Sequence, residues 1–91
     1  MNRARWRVYI VETAHGALYT GITTSLERRL AEHAARGSRG ARFFRLGAPK
    51  RLRYVENAAD RGAALRREAQ IKRLPRRAKL ELIATARRPR R

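Results

Sequence analysis

The sequence predicts a small α+β domain, with a mainly antiparallel three-stranded sheet flanked by helices in the order ββαβαα. Three observations predict it. Two short β-branched and aromatic runs flank a His-Gly turn near the N-terminus, and a third alternating run, "KRLRYVEN", follows a glycine-rich stretch. Elsewhere, apolar residues recur at helical spacing. A chain of 91 residues has room for one core and one site. On this reading residues 1–86 form a single domain, and "RRPRR", residues 87–91, is a disordered basic tail.

Val8-Tyr9-Ile10-Val11 and Leu18-Tyr19-Thr20 read as the two strands of a hairpin around His15-Gly16. The loop length decides what this hairpin can do. A two-residue loop sets Tyr19 opposite Glu12 and sends Tyr9 and Tyr19 to opposite faces, whereas a three-residue loop with a bulge at Gly16 puts both on one face. Thr24-Ser25-Leu26-Glu27 fits a capping box, with Thr24 as N-cap, opening a helix over 25–36. "GSRGARFFRLGAP" reads as a loop pinned to the body by Phe43 and Phe44. "KRLRYVEN", residues 50–57, is the third strand. Asp60 suits the N-cap of a helix over 61–73 whose apolar face includes Leu65 and Ile71, and Pro75 suits the first turn of a last helix ending near Ala86.

Charge narrows the function. Lys and Arg number 24 against 7 Asp and Glu, for a net charge of +17, the electrostatic footprint of a polyanion binder. Most of these cations are arginine, which grips phosphate in a planar fork. No stretch approaches the roughly 20 apolar residues of a spanning helix and no signal peptide is visible, so the expected partner is nucleic acid in the cytoplasm and not a membrane. Cysteine is absent and there are only two histidines, so any metal is held by oxygen.

Individual residues then stand out. Leu26, Leu30 and Ala34 define the apolar stripe of the first helix; Arg29 and His33 fall beside its edge and Arg28 points away. Glu68 interrupts the apolar face of the second helix between Leu65 and Ile71. A carboxylate there requires a partner, either a metal or Lys72 four residues on in an ordinary helical ion pair.

Tyr9, then Tyr19-Thr20-Gly21, Arg29 eight residues after that glycine, His33 one helical turn later and Glu68 on a later helix form an ordered set. The set resembles the GIY-YIG nuclease domain, most of all the small stand-alone bacterial members of the type related to the UvrC N-terminal domain. It covers about Trp6 to Ala84. Arg7-Val8 stand where the motif has Gly-Ile, and Thr20 takes the middle position of the second tripeptide; both suit a strand. The additional late asparagine or histidine of some members has no placed counterpart. The resemblance implies a GIY-YIG-like fold and an endonuclease that hydrolyses phosphodiester bonds with one Mg²⁺ or Mn²⁺, on DNA more than RNA, in repair or processing. It implies Glu68 as the metal ligand and Tyr9, Tyr19, Arg29 and His33 as catalytic residues. Within that set Arg29 stabilises phosphate charge, Tyr9 positions or deprotonates the attacking water, and Tyr19 orients water or phosphate. Gly21 would allow close approach of substrate or of the first helix, and Arg28 and Lys72 would contact substrate. The alternative is a non-catalytic basic module that binds nucleic acid, which leaves Glu68 on an apolar face unexplained.

Overall fold

Three strands and three helices follow one another in the computed structural model, which describes residues 5–36 and 49–86. Trp6–Thr13 (β1) and Leu18–Thr23 (β2) form the hairpin, Leu26–Arg36 (α1) follows, and Pro49–Ala58 (β3) completes the sheet. Arg61–Arg73 (α2) and Arg76–Ala86 (α3) end the described chain. The α+β class and the ββαβαα order are as the sequence predicts, and every strand pair is antiparallel, in the spatial order β2-β1-β3. The Phe43-Phe44 loop and the 87–91 tail lie outside the described residues.

The hairpin loop has three residues. Thr13 N–H donates to the Ala17 carbonyl and Gly16 N–H to the Thr13 carbonyl, each at 2.9 Å, so Ala14-His15-Gly16 close the turn. Gly16 takes φ +83°, the left-handed conformation that glycine adopts without penalty. The odd loop sets the register: Tyr9 is opposite Gly21, and Tyr19 is opposite Val11, not Glu12. Cross-strand partners share a face and residues two apart share it too, so Tyr9, Val11, Tyr19 and Gly21 all lie on one side of the sheet.

The other side makes the core. Val8 and Ile10 pack with Ala64 and Ile71 of α2 and Ile83 of α3, with Trp6, Leu18, Ile22 and Tyr54 around them. On the β3 side the register slips, since Ile10 is opposite Tyr54 and Val11 opposite Leu52. Arg53 is therefore the bulged residue, and its guanidinium pairs with Glu12.

Helix starts differ from expectation in two places. Ser25, not Thr24, caps α1: its hydroxyl accepts from Arg28 N–H at 3.4 Å, and the capping box with Glu27 does not form. The Thr23 hydroxyl causes this by accepting from Ser25 N–H at 3.0 Å and donating to the Ser25 carbonyl at 3.2 Å, which delays the helix by one residue. Pro75 sits just before α3 and not inside its first turn, with its carbonyl accepting from Lys79 N–H at 3.1 Å. Asp60 caps α2 as expected, accepting from Ala63 N–H at 2.8 Å. Leu65 does not face the core, being 38% exposed. The inward stripe of α2 runs instead through Ala64, Glu68 and Ile71, spaced i, i+4 and i+7.

Candidate active site

Tyr9 is the centre of the site. It comes from the central strand, is fully buried, and its ring lies over Gly21 on the edge strand. A Cβ on Gly21 would stand 2.6 Å from Tyr9 Oη and 2.7 Å from Cζ, closer than carbon contacts allow. Gly21 has no positive φ, so its glycine is required for space and not for backbone conformation. What approaches Gly21 is thus the Tyr9 side chain itself, where the sequence suggested substrate or the first helix. Tyr19, also on this face, places its ring centroid 6.4 Å from that of Tyr9 at 47°, an ordinary tilted aromatic pair.

Helix phase separates the two adjacent arginines. The Arg28 side chain is 65% exposed and lies 3.9 Å from Glu32, on the outside of α1. Arg29 turns inward: its Nε is buried, and its guanidinium acts on both tyrosines while Nη1 stays 3.7 Å from Glu32. His33 lies one turn further along α1, but its side chain is outside the described residues.

Burial raises the Tyr9 hydroxyl above its ordinary pKa of 10.0; Arg29 opposes that shift, and the charges of Tyr19 and Glu68 add to it. Tyr9 is therefore a neutral phenol near pH 7. Arg29, Tyr19 and Glu68, on α1, β2 and α2, each shift this hydroxyl, Glu68 least of the three. Arg29 acts on it as a hydrogen-bonded cation would, yet Tyr9 Oη and Arg29 Nε are both buried with no partner at hydrogen-bond geometry. Buried polar atoms are normally satisfied, so each retains capacity for a partner, an oxygen acceptor for Arg29 Nε–H and a water or hydrogen-bond acceptor for Tyr9.

Glu68 enters from α2, which packs on the opposite face of the sheet, with its side chain only 18% exposed. Lys72 Nζ lies 3.3 Å from its Oε2 while Lys72 itself is 53% exposed. The ion pair is thus present, and the carboxylate still acts on Tyr9. Among the described residues no three His, Asp or Glu side chains gather into a metal-binding group. A hard cation here would take one oxygen ligand from Glu68 and the rest from water and phosphate, a ligand set that Mg²⁺ commonly uses. The donor chemistry fits.

A match to the GIY-YIG catalytic domain spans residues 5–81. The chain belongs to the GIY-YIG family. It is 48% identical over 73 residues to UPF0213 protein DP2720 of Desulfotalea psychrophila, covering 80% of this chain and 66% of that one, just under two thirds of its length. UPF0213 protein PA3854 of Pseudomonas aeruginosa is 46% identical over 78 residues, covering 86% of this chain and 73% of that protein. The solution NMR structure of the UPF0213 protein BH0048 from Bacillus halodurans superposes with a TM-score of 0.56 at 36% identity, covering 89% of this chain and 84% of the other. A small GIY-YIG domain is thus supported by family, relatives and fold alike.

One group in this GIY-YIG domain was not legible as functional. Glu56 on β3 accepts from the Tyr54 hydroxyl with one oxygen and from Arg67 Nε at 2.8 Å with the other. Arg67 Nη1 also donates to Gln70 Oε1 at 3.1 Å. Burial and the bond to Glu56 raise the Tyr54 hydroxyl above its usual pKa. Arg67 directly precedes Glu68, so this network clamps α2 to β3 beside the candidate ligand. The available signal was weak: Tyr54 and Glu56 alternate onto one strand face, and Arg67 adjoins the anomalous carboxylate.

Proposed function

We propose that this GIY-YIG domain is a divalent-metal-dependent endonuclease that hydrolyses phosphodiester bonds, with DNA the favoured substrate. The observation that supports the reading is the buried Tyr9 hydroxyl over Gly21, beside the Tyr19 ring, on which Arg29 and, more weakly, Glu68 act electrostatically. Arg29 receives the charge that builds on the scissile phosphate, where a fixed guanidinium in a partly dry site is worth far more than in water. Tyr9, a neutral phenol at rest, orients the attacking water through its hydroxyl; it becomes a base for that water only as the phenolate, once nearby cations have lowered its pKa and its own proton has passed to solvent. Tyr19 lies beside it and orients water or phosphate. Glu68 would hold the cation, Mg²⁺ or Mn²⁺, which when bound supplies positive charge to the phosphate oxygens and acidifies water. Arg28 and Lys72, both exposed, contact the nucleic-acid backbone, and His33 completes the set on α1. The surroundings of such chemistry are the cytoplasm, and repair or processing of DNA is its context.

The Glu68–Lys72 ion pair favours a second reading, a non-catalytic module that binds nucleic acid by charge alone. Glu68→Gln separates the two. On the nuclease reading the variant folds, binds nucleic acid at least as well as wild type, and loses Mg²⁺-dependent single-turnover cleavage by orders of magnitude; Lys72→Met, which breaks the pair but spares the ligand, retains it. Glu68→Gln cleaving like wild type, or a wild type that cleaves no DNA or RNA structure with Mg²⁺ or Mn²⁺ above an EDTA control, overturns the nuclease assignment.

A further inference from the structure

All seven acidic residues of the chain lie among the described residues, so the destination of each negative charge can be followed. Glu12 pairs with Arg51 and Arg53, Glu32 lies near Arg28 and Arg29, Glu56 pairs with Arg67, Glu68 pairs with Lys72, Asp60 caps α2, and Glu27 lies exposed in the first turn of α1. Apart from Glu68 on Lys72, none of them pairs with a cation of the corner where α2 turns into α3. There "KRLPRRAK", residues 72–79, puts Lys72, Arg73, Arg76, Arg77 and Lys79 on two helix ends joined by the extended Leu74 and Pro75. Glu81, four residues beyond Arg77, makes no ion pair with it among the described residues. Lys72, Arg73, Arg76 and Arg77 are exposed.

This arrangement works against the folded domain's own electrostatics. The first turn of α3 holds no acidic residue and carries Arg76 and Arg77, cations at the positive end of a helix, where the macrodipole favours anions. Like charges also crowd one another across the turn. A feature that costs stability and is met by no internal counter-charge is complementary to an external one of opposite sign. Arg76 fixes where that surface lies: its Nη1 donates to the Gly16 carbonyl at 2.8 Å, which ties the corner to the hairpin tip carrying the exposed His15. At its other end the corner begins with Lys72, whose ammonium reaches Glu68. The cations thus form a track running from the hairpin tip to the candidate active site.

We infer that the α2–α3 corner, centred on Arg73, Arg77 and Lys79, is the surface that seats the phosphate backbone of nucleic acid and feeds it toward Glu68. The inference rests on nucleic acid being the substrate, and it adds the place where the strand is held. The hold is by charge and carries no base sequence information. Phosphates engaged by the corner also compete for Lys72 and so draw it away from Glu68.

The test is binding and not cleavage, so it stands apart from the nuclease reading. Anisotropy of a fluorescein-labelled random-sequence DNA duplex is titrated with the full chain over a range of salt, without divalent cation. The triple variant Arg73→Gln/Arg77→Gln/Lys79→Gln is set against Arg51→Gln/Arg61→Gln/Arg66→Gln, which removes the same charge from β3 and from the rest of α2. The corner variant should bind at least tenfold more weakly at low salt, and its slope of log affinity against log salt should flatten by about 2 to 3, since each lost phosphate contact removes about 0.9. The control variant should keep the wild-type slope. Equal flattening in both, or in neither, overturns the corner assignment, as does a wild type with no affinity for the duplex. Tight binding with the predicted slopes but no cleavage upholds the corner and overturns only the nuclease. Single Arg73→Gln and Arg77→Gln variants, each at an exposed position, give the same reading should the triple variant not fold, each flattening the slope by about 0.9.

Discussion

Gly21→Ala tests the packing on which the site depends. The added Cβ would lie 2.6 Å from Tyr9 Oη, 2.7 Å from Cζ and 3.2 Å from a Tyr19 ring carbon, so the Tyr9 ring must move. The ring is fully buried, so it moves only by displacing its neighbours or breaking into solvent. Overpacking of this kind costs about 1–3 kcal/mol, and the entropy gained by replacing glycine where φ is permissive returns about 0.4–1 kcal/mol. The expected net loss of about 1–2 kcal/mol corresponds, for a domain of this size, to a drop in Tm of about 4–16 °C. Thermal unfolding by circular dichroism measures it, and a double-mutant cycle with Tyr9→Leu assigns it. Once the long ring is gone most of the cost should disappear, because both contacts under 3.0 Å are to that ring and the Tyr19 ring carbon at 3.2 Å need give only a few tenths of an ångström. On the proposed reading, Gly21→Ala also lowers cleavage below what its unfolded fraction explains, by displacing the hydroxyl from Arg29. A Gly21→Ala protein as stable as wild type, or an equal loss in the Tyr9→Leu background, refutes the argument that Gly21 exists to admit Tyr9.

Arg29→Ala should abolish single-turnover cleavage at saturating protein, while Arg28→Ala, which removes an exposed side chain near Glu32, should mainly weaken binding; equal losses would show that helix phase does not separate their roles. Stability should fall at high pH in a way set by two tyrosines. Tyr9 and Tyr54 both have folded pKa values above the ordinary 10.0, so their contribution is complete below about pH 10 and is lost as pH rises through the folded values. Tm measured from pH 8 to 11 should decline, and Tyr9→Phe should decline less steeply; parallel curves would show that Tyr9 ionises in the folded state as freely as in the unfolded one.

Much of the fold is local information, which a sequence carries directly. The β-branched runs, the Asp60 cap and the recurrence of apolar residues placed all six elements within two residues at their starts, because propensity and periodicity act over a few neighbours. The cap of α1 was assigned one residue early for an equally local reason: Thr23, Thr24 and Ser25 are all competent caps, and only the chain path out of β2 selects among them. Arg29 and Arg28 were separable by helical phase alone, since about 100° of rotation per residue sends neighbours in different directions.

Which chemical groups the protein owns follows from composition and order alone: the charge, the two tyrosines flanking a turn, the inward arginine and the anomalous carboxylate. Tertiary structure decided whether they meet. One residue in the hairpin loop settles it, because strand side chains alternate and Gly16 at positive φ makes the loop odd, turning Tyr9 and Tyr19 to the same face. The depth of the site was equally out of reach. That Glu68 lies inward in line with Ala64 and Ile71, that Leu65 does not, and that Glu56 holds Arg67 beside it all depend on how α2 is rotated on the sheet. That rotation is the outcome of packing between residues far apart in the chain, and no pattern within α2 specifies it.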